Sequence, residues 1–204
     1  MHRAWPALLV LAALLAGCAG GDEEQLPTGS PTIASFDRFP AGALPRSFSI
    51  LEGDWTLTND TAAPSPPRVL QATGNGTALV LLGAGSFAGM NTTLRLNVSA
   101  PHAAGFVLRY RSPSEYDVVV LDLAARELQL LHRDAAGLRV AARAPTQAQD
   151  GWHALSVQVV QGNLDVLLDG HDNLVVPAGS RQPGFVGAWA RGGAAFDEIH
   201  VLPL

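Results

Sequence analysis

"LSVQVVQGNLDVLL", residues Leu155 to Leu168, consists of two short runs in which apolar and polar side chains alternate. Alternation with a period of two is typical of a β-strand that buries one face. A tight turn at Gly162-Asn163 pairs the two runs and places six apolar side chains on one face. The six are Leu155, Val157, Val159, Leu164, Val166 and Leu168. The stretch therefore predicts an antiparallel hairpin with one face in a core and the other in water.

Similar segments fill the chain from Ser35 onward. Residues 91–99 direct Thr92, Leu94, Leu96 and Val98 to one side. The composition, 48% hydrophobic and 15% charged with 21 Gly and 14 Pro, suits a turn-rich all-β domain. The predicted strands are 34–39, 47–59, 68–72, 77–82, 91–99, 104–111, 116–122, 127–133, 138–143, 152–160, 164–169, 172–176, 184–190 and 194–202. Many short strands at regular spacing predict a two-sheet antiparallel sandwich.

One segment, residues 121–138, leaves a helix open as an alternative. It is rich in Ala, Leu, Arg and Glu, and its leucines fall near helical spacing. We favour strand, turn and strand because the neighbouring segments need sheet partners.

The first residues have the layout of a secretory signal. A basic start at Arg3 precedes an apolar stretch over 7–15, which is too short to span a bilayer as a mature helix. Leu15-Ala16-Gly17-Cys18 resembles the lipobox of prokaryotic lipoproteins, and Cys18 is the only cysteine of the chain. We expect a signal peptide at 1–17, a lipidated Cys18 with a flexible linker at 18–34, and one domain at 35–204. Such a protein is anchored to the outer face of a prokaryotic membrane or lies in the periplasm.

Charge and sequons restrict the partners. A net charge of -5 without any block of Lys or Arg excludes nucleic acid as a partner class. Four of the asparagines open N-x-Ser/Thr sequons, which indicates N-glycosylation. These are Asn59, Asn75, Asn91 and Asn97. The alternative is that they are ordinary, unmodified turn and strand residues.

"GFVLRYRSPSEYDVVVLD", residues 105–122, is a second predicted hairpin, with its loop at 112–115. In this register Arg111 faces Tyr116, and Arg109 shares their side of the sheet. A guanidinium beside a phenol ring suits sugar hydroxyls. The alternative is that these side chains only cover an exposed sheet face. The opposite, core-facing side carries Phe106, Leu108, Val119 and Leu121.

The order of these pieces resembles the concanavalin A-like jelly roll, in particular laminin G-like domains and the lipoprotein-borne 3-keto-disaccharide hydrolase or family 16 glycoside hydrolase-like domains. The matching stretches are "FDRFPAGALPRSF" (36–48), "GDWTL" (53–57), "PSPPRVLQA" (64–72), "AGFVLRYRSPSEYDVV" (104–119), "GWHALSVQVVQGNLDVLLDG" (151–170) and "GFVGAWARGGAAFDEIHV" (184–201). The resemblance implies a jelly-roll sandwich. The Glu-x-Asp-x-x-Glu strand of active family 16 glucanases is absent.

We therefore predict a surface lipoprotein whose domain binds carbohydrate without catalysis and without a required cofactor. The predicted ligand-binding residues are Arg109, Arg111, Tyr116, Asp117 and Trp189. Two alternatives remain: a glycoside hydrolase that draws carboxylates from separate strands, and a structural or adhesive envelope protein. A turn with oxygen ligands is a weaker candidate for calcium. It contains Asp169, Asp172 and Asn173.

Overall fold

A computed structural model describes residues 31–160, 162–178 and 182–204. The predicted signal peptide, Cys18 and nearly all of the linker lie outside these residues. The described chain forms fifteen strands: β1 (Thr32–Ala34), β2 (Ser49–Glu52), β3 (Asp54–Asn59), β4 (Arg68–Thr73), β5 (Thr77–Phe87), β6 (Met90–Val98), β7 (Ala103–Ser112), β8 (Glu115–Asp122), β9 (Glu127–Asp134), β10 (Gly137–Pro145), β11 (Gly151–Val160), β12 (Asn163–Leu168), β13 (Asp172–Pro177), β14 (Gly184–Arg191) and β15 (Ala194–Pro203). No helix occurs among the described residues, and thus none long and apolar enough to cross a bilayer.

The strands form two antiparallel sheets. The eight-stranded sheet has the order β13-β12-β11-β6-β15-β4-β3, with β1 paired to β15. The seven-stranded sheet has the order β10-β9-β8-β7-β14-β5-β2. Their inner faces enclose one large hydrophobic core. The predicted all-β two-sheet sandwich is confirmed.

The hairpin that predicted the fold is present as β11 and β12. Leu155 pairs with Leu168 and Val157 with Val166, and all six predicted apolar side chains are buried. Val160 pairs with Asn163, so Asn163 belongs to the strand rather than to the turn. The alternation of residues 91–99 is likewise confirmed, because the four predicted inward side chains of β6 are buried.

The segment that left a helix open is sheet. Residues 121–138 contain the end of β8, all of β9 and the start of β10, and Leu128 and Leu130 lie in the core. The β8 and β9 strands pair along their length, from Tyr116 with Arg133 to Asp122 with Glu127. Tertiary pairing thus outweighs the helix propensity of this composition.

Two predicted strands differ from the structure. The segment 47–59 divides into β2 and β3 at Gly53, whose φ of 70° and close approach to Ala78 leave no room for a side chain. The segment 34–39 is strand only up to Ala34. Beyond it, the Asp37 carboxylate accepts hydrogen bonds from Ser65 Oγ at 3.1 Å and from the Arg68 backbone nitrogen at 3.2 Å, which fixes a loop.

Close strand contact at Gly105 yields a testable prediction. A Cβ on Gly105 would lie 1.9 Å from the Val119 carbonyl oxygen on β8, whereas a Cβ on Gly76 would meet nothing within 4 Å. Gly105→Ala is therefore expected to lower the free energy of unfolding by about 2 kcal/mol or more, and Gly76→Ala by less than about 0.5 kcal/mol. Denaturant unfolding measures both. Equal stability of the two variants would contradict the close contact.

Candidate functional site

A bulge in β7 determines which side chains reach the outer face of the seven-stranded sheet. Leu108 pairs with Asp117 and Ser112 with Glu115, so three residues of β7 stand opposite the single residue Tyr116. Within the bulge Arg109 has a φ of 49°, which is uncommon for a residue with a side chain. The bulge reverses the strand's alternation. Arg109 points to the space between the sheets, and Tyr110 lies on the outer face.

The neighbouring strand β14 accommodates this bulge through a glycine. A Cβ on Gly184 would lie 2.4 to 2.7 Å from backbone atoms of Arg109. The pairing of β14 with β7 is itself irregular between Phe185 and Gly187. The bulge therefore depends on the absence of a side chain at position 184.

Arg109 is held by hydrogen bonds between the two sheets. Its side chain is only 6% exposed, and it donates to the Asp117 carboxylate at 2.5 Å and to the Ala178 carbonyl. The other oxygen of Asp117 lies 2.6 Å from His132 Nδ1. These side chains border a cavity of about 250 Å³ beside β9 and the end of β13. The arrangement joins the two sheets at this edge.

The predicted common face of Arg109, Arg111 and Tyr116 is therefore wrong. The prediction assumed an unbroken strand, and the bulge takes Arg109 inside. Arg111 is exposed and forms an ion pair with Glu115 at 2.5 Å. Of the three, only Tyr116 lies in the hydrophobic cluster of the outer face.

That outer face carries a second hydrophobic cluster, separate from the main core. Tyr110 and Tyr116 stack within it, with ring centroids 5.7 Å apart and ring planes at 28°. Beside them lies a groove of about 280 Å³. Its lining residues are Leu51, Glu52, Thr77, Leu79, Tyr110, Pro113, Tyr116, Arg133 and Leu138. We call it the tyrosine groove.

Two opposite charges stand at the tyrosine groove. Burial raises the pKa of Tyr116; the Arg133 guanidinium opposes the shift, while the Glu52 carboxylate and Tyr110 add to it. Burial also raises the pKa of Tyr110. Arg133 Nε is buried and has no hydrogen-bond partner among the described residues. The groove thus offers a cationic donor, a carboxylate acceptor and two phenols over an apolar floor.

The other predicted ligand-binding residues lie elsewhere. Asp117 faces the space between the sheets, bound to Arg109 and His132. Trp189 belongs to the outer cluster but is 1% exposed, so its ring offers no free stacking face. Neither Asp117 nor Trp189 lines the tyrosine groove. Of the predicted ligand-binding residues, Tyr116 lines it.

Sequence reasoning missed Glu52, Tyr110 and Arg133. A signal existed for Arg133, because the β8–β9 hairpin places it directly opposite Tyr116. None existed for Tyr110, whose position requires the bulge. Glu52 reaches the groove because β2 pairs with β5, where Glu52 stands opposite Leu79.

The candidate calcium turn is occupied by other contacts. One Asp169 oxygen accepts the Ala154 backbone N–H at 2.8 Å, and the other lies 2.7 Å from His153 Nδ1. Asn173 is exposed on β13, and the side chain of Asp172 lies outside the described part. Within the described part, no group of three or more His, Cys, Asp or Glu side chains is placed to hold a metal ion. Both oxygens of Asp169 thus have protein partners, and calcium binding at this turn stays a prediction.

The four sequon asparagines lie at the surface in two settings. Asn59 and Asn75 are exposed. Asn91 and Asn97 are half-buried on the outer face of β6, on the side that the alternation predicts for them. Their glycosylation stays a prediction.

Solved structures share this architecture at low sequence identity. The carbohydrate-binding module CBM66 from Bacillus subtilis matches with a TM-score of 0.63 and 11% identity over 75% of this chain and 93% of the module. The exoplasmic/lumenal domain of VIP36, in its Ca2+/Man-bound form, matches with a TM-score of 0.60 and 11% identity, covering 85% and 89% of the two chains.

A glycoside hydrolase family 16 endo-glucanase from Bacteroides ovatus, in complex with G4G3G-2F-DNP, matches with a TM-score of 0.60 and 10% identity over 84% of this chain and 99% of the enzyme. No family model and no curated protein matches the sequence. The chain has the concanavalin A-like jelly-roll fold that the resemblance implied.

The two arginines of the β7 hairpin should differ sharply in their effect on stability. Arg109→Met leaves the Asp117 carboxylate without its buried partner and is expected to cost about 3–5 kcal/mol of unfolding free energy. Arg111→Met removes an exposed pair and should cost no more than about 1 kcal/mol. Urea unfolding of the two variants measures this difference. Similar losses in both would show that Arg109 does not hold the sheets together.

Tyrosine titration tests the outer cluster, because Tyr110 and Tyr116 are the two tyrosines of the chain. Both folded-state pKa values are raised. Tyrosinate absorbance should therefore appear at higher pH in the folded chain than in urea, where the pKa is about 10. The two neutral tyrosines therefore contribute to the free energy of unfolding in full below the unfolded-state pKa of about 10. This contribution is lost as the pH rises through the folded-state pKa values, because the unfolded chain releases its tyrosine protons at lower pH.

Tyr116→Phe is the control for the titration and should remove one of the two raised transitions. Coincident titration curves for the folded and denatured chain would contradict the burial of the pair.

Proposed function

We propose that this domain binds carbohydrate in the tyrosine groove and does not itself catalyse a reaction. The observation that carries the proposal is that one guanidinium and one carboxylate, those of Arg133 and Glu52, line the groove together with both tyrosines of the chain. A guanidinium carries several N–H donors, and a ligand oxygen in the groove would accept from those that face it. Ligand sites commonly combine an apolar lining with a few well-placed polar groups.

The chemistry of the lining suits a neutral sugar. Arg133 donates to ring or hydroxyl oxygens, and Glu52 accepts from hydroxyls. Leu51 and Leu138 offer apolar contact to the C–H faces of a ring. Because the two charges are opposite in sign, the groove has no net attraction for a polyanion. Its volume of about 280 Å³ is near the lower end for ligand sites, which favours a short oligosaccharide or the end of a longer one.

Binding is better supported than hydrolysis. A retaining glycosidase needs two carboxyl groups about 5–5.5 Å apart. Glu52 is the one carboxylate among the residues that line the groove, since Asp117 lies on the other face of the sheet. The hydrolase alternative would need a second carboxylate that this groove does not supply.

The fold neighbours support the same class of ligand. They are a carbohydrate-binding module, a domain described in a Man-bound form and an endo-glucanase. At 10–11% identity they share only the fold with this chain, so the proposal rests on the residues that line its own groove.

We further propose that the domain works at a membrane surface. Cys18 after an apolar stretch is the expected site of a lipid anchor, and residues 18–34 would serve as its tether. The domain would then hold glycans near the outer face of a prokaryotic membrane or in the periplasm.

Glycan retention by groove variants tests the proposal. The full chain, kept in mild detergent, is applied to an array of neutral gluco-, manno-, galacto-, xylo- and fructo-oligosaccharides. Arg133→Met and Glu52→Gln should each weaken retention of the bound sugar about tenfold, the effect of losing one charged hydrogen bond.

Arg95→Met, on an exposed arginine of the opposite sheet, is the matched control and should bind like the parent chain. The proposal fails if the parent retains no oligosaccharide, or if Arg133→Met binds as well as Arg95→Met. Release of free sugars from the bound oligosaccharide would instead favour the hydrolase alternative.

A further inference from the structure

A third cavity, lined mostly by polar residues, lies on the outer face of the eight-stranded sheet, on the opposite side of the sandwich from the tyrosine groove. Its volume is about 350 Å³. Gln71, Asn97 and Ala195 form its floor, and Thr58, Asp60 and His102 stand around it. We call it the polar trough.

The strand register explains why the sheet is hollow here. Asn97 of β6 pairs with Ala195 of β15, and Ala195 pairs in turn with Gln71 of β4. A methyl group therefore lies between two longer amide side chains. Gly193 continues the row of small residues along the same edge. Asp60 and His102, which lie outside the strands, line the sides of the trough.

The polar side chains of the trough keep unused hydrogen-bonding capacity. Gln71 Oε1 accepts from Thr58 Oγ1 at 2.9 Å, which leaves the Gln71 amide nitrogen to donate. One oxygen of Asp60 accepts the Ala62 backbone N–H at 2.8 Å, and no described residue donates to its second oxygen. No described residue hydrogen-bonds to the Asn97 side-chain amide. Donors and acceptors thus face the same space.

We propose that the polar trough is a second saccharide site, independent of the tyrosine groove. Its lining mixes amide donors, amide acceptors and hydroxyls, which is the hydrogen-bonding pattern that sugar hydroxyls complement. Asp60 is its one carboxylate, and no Arg or Lys lines it, so the trough lacks the guanidinium or ammonium group that phosphate, sulfate and uronate sites commonly use. Ala195 supplies a small apolar patch for a ring face.

The sugar that fills the trough can come from the chain's own N-glycan or from a separate molecule, and the two have the same chemistry. Asn59 and Asn97 both line the trough and both open sequons. A glycan attached to either would fill the trough of its own chain. Without such a glycan, the trough would take a sugar from outside, and a domain with sites on opposite faces would bridge two glycan chains.

The test titrates chains whose tyrosine groove is disabled. The full chain carrying Arg133→Met and Tyr116→Phe is produced in a host without N-glycosylation and titrated with the neutral oligosaccharides named above. It should retain measurable binding. Adding Gln71→Ala or Ala195→Tyr should weaken that remaining binding about tenfold, and Thr93→Ala, exposed on the same face of β6, should leave it unchanged.

The outcomes separate the two proposals. Binding that is lost with the groove variants alone, or that Gln71→Ala does not weaken, overturns the second site. Binding that is lost with the trough variants but not with Arg133→Met overturns the tyrosine groove and supports the trough. Unchanged thermal unfolding of Gln71→Ala guards against a folding defect, and this variant carries the test if Ala195→Tyr does not fold.

A second preparation, from an N-glycosylating host, distinguishes the sources. If the chain's own glycan fills the trough, this protein should bind free oligosaccharide there only after enzymatic removal of the glycan. If the sugar comes from outside, binding should be the same before and after that treatment.

Discussion

The ion pair of Arg109 with Asp117 between the two sheets is the interaction on which the tyrosine groove depends. A buried guanidinium needs partners, and here the Asp117 carboxylate and the Ala178 carbonyl supply them. To reach them, the chain adopts a positive φ at Arg109 and forms a bulge. The bulge turns Tyr110 to the outer face, where it stacks on Tyr116. An inward contact thereby sets the geometry of an outward-facing site.

The seven-stranded sheet is apolar on both faces, which is unusual for an antiparallel sheet with one face open to solvent. The inner face belongs to the core of the sandwich. No further layer of the described chain packs on the outer cluster around Tyr116 and Trp189. The cluster lies beside the groove that Glu52 and Arg133 line. An apolar floor with a few polar groups is typical of sites for small ligands.

The sequence predicted the layers well because period-two alternation reports burial residue by residue. The hairpin from Leu155 to Leu168 and the inward face of β6 follow directly from that pattern. The site did not follow, because it depends on contacts between distant segments. Arg109 and Arg111 look equivalent in the sequence, and only Ala178 and Gly184, which are remote along the chain, distinguish them. Glu52 enters the groove through its pairing with β5.

A crystal structure of the chain with a bound neutral oligosaccharide tests the central claim most directly. We expect a sugar ring over the outer cluster, with a sugar oxygen accepting from the Arg133 guanidinium, a hydroxyl donating to Glu52, and the Arg109 guanidinium directed inward onto Asp117. A groove without sugar in crystals that hold it elsewhere, or Arg109 turned out to solvent beside Tyr116, would contradict the account.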